Sequence, residues 1–214
     1  MNFLELCQKV STEAGITTTG PTSVVAQTGI LSKVVSWVRQ ADIDIQLERS
    51  DWFFLWKTTQ ANLVANKSEY MPVDLAAGDI NVVHLALIGS KAAQVLQWTD
   101  YVELYRKTGK QADVADRPSA VARSPNGKFY FYPVPLLPCK IQIDYSTVPV
   151  HLTSNMDVPK VPERFHYAIV QKALMYYAEH EEDINRYNQA RLNYLDWLNV
   201  MGRDTKPRLR FLNE

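Results

Sequence analysis

In the last third of the chain, apolar residues recur at steps of three and four, the spacing of one helix face. Between 161 and 201 they fall first at Phe165, Ala168, Ile169, Ala173 and Tyr176. They fall again at Ile184, Tyr187, Leu195, Leu198 and Met201, with Leu192 and Tyr194 beside them. The pattern predicts two helices with a break near 181–183. No Gly or Pro stands there to enforce the break, so one long bent helix is the alternative. Pro162 suits a first helical turn, where its missing N–H is no loss. Glu163, Glu182 and Asp183 suit helix N-terminal ends, where the macrodipole favours negative charge.

Such a pair needs a cover, and the opposite end of the chain offers one. A helix over 2–14 buries Phe3, Leu6, Cys7, Val10 and Ala14, with Asn2 as N-cap and Gly15 as its stop. A second helix over 29–49 carries Leu31, Val34, Val35, Val38 and Ile45 on one face, continued by Trp52. Trp37 and Ala41 widen that face, and Thr28 is its candidate N-cap. The segment 51–56, Asp-Trp-Phe-Phe-Leu-Trp, is an aromatic knot expected where this helix meets the C-terminal pair. Between the two N-terminal helices, 16–28 reads as a loop rich in Thr, Gly, Ser and Pro. It is either a contact surface or a plain connector.

From Lys57 onward the period shortens to two. Strands are predicted over 57–65, 80–88, 120–123, 128–132 and 139–148. Ile141, Ile143 and Tyr145 alternate with Lys140, Gln142 and Asp144, which gives that strand one wet face. Pro125-Asn126-Gly127 is a hairpin turn. A short helix starting at Thr99 or Asp100 interrupts the strands, and 106–118 is a charged, exposed loop. An extended, proline-marked segment over 151–160 leads back to the C-terminal pair. The fold class that follows is α+β. Helices from both ends, 1–56 and 151–202, form a helical bundle; 57–150 is an inserted antiparallel β-rich subdomain; 203–214 is a C-terminal tail.

Composition narrows the function. Lys plus Arg and Asp plus Glu both number 23, so the formal net charge is zero. A dedicated nucleic-acid binder usually shows a basic excess. A neutral surface is instead compatible with assembly into something larger. The N-terminus lacks the pattern of a signal peptide, and the apolar run over 82–88, interrupted by His84, is too short to span a bilayer. The expectation is a soluble product made in the cytoplasm, with no membrane anchor. Cys7 and Cys139 lie far apart and are expected to be reduced, buried thiols.

No catalytic constellation stands out. His84 lies in an apolar strand and reads as a core residue. His166 and His180 are fourteen residues apart on one predicted helix, about 21 Å, too far to share a metal. Around His180 the neighbouring acids Glu179, Glu181 and Glu182 point in different directions on a helix. There is no phosphate-cradling glycine loop and no Gly-x-Ser-x-Gly elbow. Glu5, Glu13, Asp42, Asp44 and Glu48 are expected on helix surfaces. No cofactor and no metal are expected, and an enzymatic role is not.

The order of features carries a resemblance. The N-terminal Asn-Phe-Leu-Glu-Leu-Cys-Gln-Lys-Val stretch is followed by Thr19-Gly20-Pro21-Thr22, then by the helix that runs into Trp52–Trp56. With the later helices that open at Pro162-Glu163-Arg164-Phe165, these segments resemble the head–tail adaptor (connector, or head-completion) proteins of tailed bacteriophages. The likeness covers both ends, about half of the chain. It implies a structural protein of the virion at the head–tail interface, not an enzyme. It implies a ring of twelve copies under the portal that extends the DNA channel and docks the tail. The implied partners are the portal protein, further copies of the chain, the next tail component (nozzle, gatekeeper or tail terminator), and genomic DNA passing without sequence-specific binding. Carried onto this sequence, the resemblance makes Arg203, Lys206, Arg208, Arg210 and Phe211 the candidates for portal contact. Two other readings stay open: a virion-associated peptidoglycan hydrolase and a monomeric cytosolic binding module.

Overall fold

The computed structural model describes residues 1–89 and 91–204. The fold is α+β, and the chain divides into two compact units. One comprises Met1–Leu55 and the chain from Pro149 onward; the other is Trp56–Val148.

The helical unit holds α1 (Phe3–Ala14), α2 (Gly29–Glu48), α4 (His166–His180) and α5 (Ile184–Asp204). The remaining helix, α3 (Trp98–Tyr101), belongs to the other unit. α1 begins with a capping box. Asn2 Oδ1 accepts from the Glu5 N–H at 2.9 Å, and Glu5 Oε2 accepts from the Asn2 N–H at 2.9 Å. The next free donors, the Phe3 and Leu4 N–H groups, reach the carbonyls of Asp157 and Asn155. Gly15 stops the helix in the left-handed region, φ 75°. Asn2→Ala removes the side-chain half of the box. It is expected to cost about 1 kcal/mol, read as a lowered urea midpoint with an unchanged slope.

The Thr28 side chain makes no capping bond to α2, contrary to its expected role. Gly29 has φ 59°, so the chain enters the helix through a left-handed residue that points the Thr28 hydroxyl to no helical N–H. The break between α4 and α5 is real. Glu182 takes φ 58°, and Asp183 Oδ1 accepts from the Arg186 N–H at 3.0 Å as a new N-cap. Pro162 lies just before a short 3-10 turn, Glu163–Phe165, rather than in the first turn of α4.

One core unites the four helices: Phe3, Leu6, Val10, Val34, Val38, Ile45, Trp52, Phe165, Ile169, Ala173, Ala190, Tyr194 and Met201 among others. One expected face is rotated. α5 buries Ala190, Tyr194 and Met201, while Ile184 is 71% exposed and Leu192 57% exposed. The helix carries a second apolar stripe, and only one can face α4. The aromatic knot also divides. Trp52 and Leu55 enter the helical core, Phe53 is exposed, and Trp56 opens the first strand of the other unit.

The second unit is built on a seven-stranded sheet. Its strands are β1 (Trp56–Leu63), β2 (Glu69–Tyr70), β3 (Ile80–Ile88), β4 (Lys91–Leu96), β6 (Ala120–Arg123), β7 (Phe129–Tyr132) and β9 (Cys139–Thr147). The order is β1-β9-β3-β4-β6-β7-β2. β5 (Val114–Ala115) and β8 (Val134–Pro135) form a small parallel pair. Most pairings are antiparallel, as expected for the insertion. β4 and β6 are parallel instead, Gln94 opposite Ala120 and Leu96 opposite Ala122. A parallel pair needs a crossover, which α3, the π-helical turn Val102–Arg106 and the following segment supply. The 106–118 stretch is therefore not simply a loop: it contains β5, and Asp113 Oδ2 accepts from the Tyr132 hydroxyl at 2.8 Å. Ile141, Ile143 and Tyr145 face the sheet core, and Lys140, Gln142 and Asp144 the other side. His84 is half-buried, with its ring stacked on Trp56 at 4.0 Å between centroids.

Candidate functional site

The candidate site is a set of exposed segments and the contacts that hold them. Arg203 lies in the last turn of α5 and is exposed; its Nε donates to the Asn199 carbonyl at 3.4 Å. The turn is tied down on both sides. Asp204 pairs with Arg164 at the start of the C-terminal helical region. Gly202 packs beside the Arg49 guanidinium, where an added Cβ would stand 3.2 Å from Nη1. Arg49 in turn grips Asp51, with Nε to Oδ1 at 2.7 Å and Nη2 to Oδ2 at 2.6 Å. Lys206, Arg208, Arg210 and Phe211 lie outside the described residues.

The 16–28 segment has no helix or strand, yet it is anchored. Gln8 Nε2 donates to the Pro21 carbonyl at 3.0 Å, and Asn155 Oδ1 accepts from the Val24 N–H at 2.7 Å. Gly20 sits against Gln8 with φ 74°, where a Cβ would come within 2.5 Å of the Gln8 Cα. A left-handed φ and backbone contact together leave room only for glycine. Asn155 belongs to a tight turn closed by Asp157, whose Oδ2 accepts from the Thr153 and Ser154 N–H groups at 2.6 and 2.8 Å. Those bonds hold the Asp157 carboxyl below the usual carboxylate range. The same turn thus fixes the start of α1 and the loop after it.

The polar faces of α4 and α5 divide between internal ties and free surface. Lys172 pairs with Asp44 at 3.5 Å and lies over the Tyr176 and Tyr194 rings. Tyr176 donates its hydroxyl proton to Asp44. Asn193 donates to Gln171 Oε1 at 3.3 Å. These groups join α2, α4 and α5 and are not available to a neighbour. Facing outward on α5 are Ile184, Asn185, Asn188, Leu192, Leu195 and Asn199, a largely uncharged stripe beside the exposed Arg191, Asp196 and Arg203. Sequence reasoning placed Ile184 and Leu195 in the core and missed this face. The step from 185 to 188, 192, 195 and 199 was the available signal.

Asp42 is the second correction. It is fully buried rather than on a helix surface, and burial pushes its carboxyl up to about 7 against the lowering effect of the Gln46 hydrogen bond. Gln46 Nε2 donates to Asp42 Oδ2 at 2.8 Å and to the Val150 carbonyl at 3.2 Å, and its Oε1 accepts from the Val150 N–H at 3.0 Å. Arg39 Nε adds a bond to the Leu152 carbonyl at 2.8 Å. α2 therefore clamps the 150–152 segment with two side chains, Arg39 and Gln46, and Asp42 holds Gln46 in place. Steps 38, 42, 45 and 46 lie on one helix face, so the spacing that marked Val38 and Ile45 could have found Asp42 and Gln46.

The histidines do not converge. His166 is buried; its Nδ1 is 3.0 Å from the Met1 ammonium and its Nε2 2.9 Å from the Val161 carbonyl. An ammonium only donates, so Nδ1 accepts, Nε2 carries the proton, and the ring is neutral. Burial first, then the ammonium, lowers its pKa. His180 lies at the far end of α4, between Lys33 and Glu181. Among the described residues no three His, Cys, Asp or Glu side chains group as metal ligands. Both cysteines are free; Cys7 is buried, which pushes its thiol up to about 12, whereas Cys139 is half-buried. Among the described residues no helix is long and apolar enough to cross a membrane.

No curated protein matches the chain. A family model described as SU10 adaptor protein matches residues 1–209, nearly the full length, including the central region between the two ends that carried the resemblance. The chain belongs to the SU10 adaptor protein family, a family of structural phage adaptors, and is a component of the virion.

Proposed function

We propose that the chain is a head-to-tail adaptor that forms a ring of twelve copies under the portal, extends the DNA channel and docks the next tail component. The family match over residues 1–209 carries this reading. Zero net charge supports it, because a lumen rich in Lys and Arg would hold DNA through phosphate contacts rather than let it slide. A closed ring needs two complementary surfaces on each copy. In this reading the bundle of 1–56 and 151–202 supplies them, with the exposed outer face of α5 as one. Arg203, Lys206, Arg208, Arg210 and Phe211 contact the portal. The chain performs no catalysis in this role.

The test is electron microscopy of the purified chain mixed with its cognate portal. Rings seated on portal particles are expected. Replacing Arg208 and Arg210 by Glu is expected to abolish seating and leave the chain folded. A chain that stays strictly monomeric beside its portal would overturn the proposal.

A further inference from the structure

β3 and β4 pair only near their connecting turn, Ala86–Ile88 against Lys91–Ala93. Past that point β3 continues with β9 while β4 moves over to β6. The two strands separate, and a cleft of about 410 Å³ opens beside them. Val82 and Val95 line it and are 38% and 39% exposed, with Asn81, Gln97 and Trp98 around them.

Arg123, the last residue of β6, also lines this cleft. Its Nη1 donates to the Ile80 carbonyl at 2.7 Å and to the Asn81 carbonyl at 3.2 Å, so it reaches across to β3. Its Nε is enclosed and has no hydrogen-bond partner among the described residues. None of the ion pairs among the described residues includes it. Asp79 shares a neighbouring hollow with Arg123 but does not pair with it. A half-buried guanidinium without a counter-ion carries a desolvation cost that a carboxylate would offset. Nη1 is committed to carbonyls. With Nε enclosed, that leaves Nη2, whose N–H can donate to one oxygen of a carboxylate in a charge-assisted bond.

We propose that this cleft binds an extended acidic peptide segment of a partner protein, with its apolar side chains against Val82 and Val95 and one Asp or Glu carboxylate on Arg123. A single cation between apolar walls suits a peptide, whereas a nucleic-acid backbone calls for several cations in a row. The inference does not depend on ring formation or on the portal.

Nuclear magnetic resonance on the full chain tests it, following the Arg123 Nε–H signal and the Val82 and Val95 amides. The probes are acetyl-Val-Asp-Val-Val-amide, its Asn counterpart and sodium acetate. The Asp peptide is expected to shift all three signals to saturation, and roughly tenfold more tightly than the Asn peptide. Acetate at the same concentration is expected to leave Val82 and Val95 unmoved. Arg123 also holds β3, so its removal could unfold the unit. V95E therefore serves as the decisive variant. It supplies a carboxylate from the wall and is expected to stay folded and lose the peptide. Equal response to the Asp and Asn peptides, no saturable shift, an acetate response matching the Asp peptide, or unchanged binding in V95E overturns the proposal.

Discussion

Trp52→Ala is expected to cost about 3–5 kcal/mol, the range for emptying a fully buried aromatic site. Trp52 is 1% exposed and does three jobs. Its ring fills the helical core and stacks on Phe54 at 5.4 Å. The Arg49 guanidinium lies over it at 5.2 Å. Its Nε1 donates to the Ile45 carbonyl at 2.7 Å. Ile45 is one of the last four residues of α2, whose carbonyls have no partner within the helix. The indole is thus both packing and C-terminal cap. Trp52→Phe separates the two roles: it keeps most of the volume and leaves the carbonyl bare, which costs about 1–3 kcal/mol. Urea denaturation followed by far-ultraviolet circular dichroism measures both variants. With a typical domain stability of about 5–15 kcal/mol, Trp52→Ala takes a large share. A loss below about 1 kcal/mol would show that the site collapses around the missing ring.

The segments that the sequence made legible are those whose local pattern and tertiary role agree. α1 has its cap, its buried stripe and its glycine stop, all within about fourteen residues. β3 and β6 have the predicted limits because apolar runs bounded by turns have little freedom to be anything else. β4 was missed. Lys91-Ala-Ala-Gln-Val-Leu has no clean alternation, because the strand pairs with β3 at its start and β6 at its end. Its two halves answer to different neighbours, and the parallel pairing that results is a long-range fact. The outward Ile184 and Leu195 were misassigned for a related reason. A helix with two apolar stripes does not reveal which one is buried, and only Ala190 and Tyr194, packed with α4, decide it. Arg123 had no signal beyond ending an Ala-Val-Ala strand; its lack of a counter-ion is visible only when the sheet is assembled.

Asp42 predicts a pH dependence whose sign follows from its raised pKa. Its carboxyl titrates near pH 3.8 when exposed and at about 7 in the folded chain. The folded state therefore holds the proton more tightly than the unfolded state. The stability this contributes is complete below about pH 4 and is lost as pH rises through 7. The total is roughly 3–5 kcal/mol between pH 4 and 8, at 1.36 kcal/mol per pKa unit. His166 acts in the opposite sense. Its pKa is lowered from 6.5, so its contribution is present above that pH and is lost as pH falls. The wild-type profile mixes the two, and the difference between wild type and Asp42→Asn isolates the carboxylate. Asparagine can still accept from Gln46 and has no charge to desolvate. The difference is expected to be near zero at pH 4, to rise in favour of the variant from pH 5, and to level off above pH 7. Urea titrations at each pH measure it. A flat difference would mean that Asp42 is ionised and solvated in the folded chain, and that the clamp on Val150 opens to water.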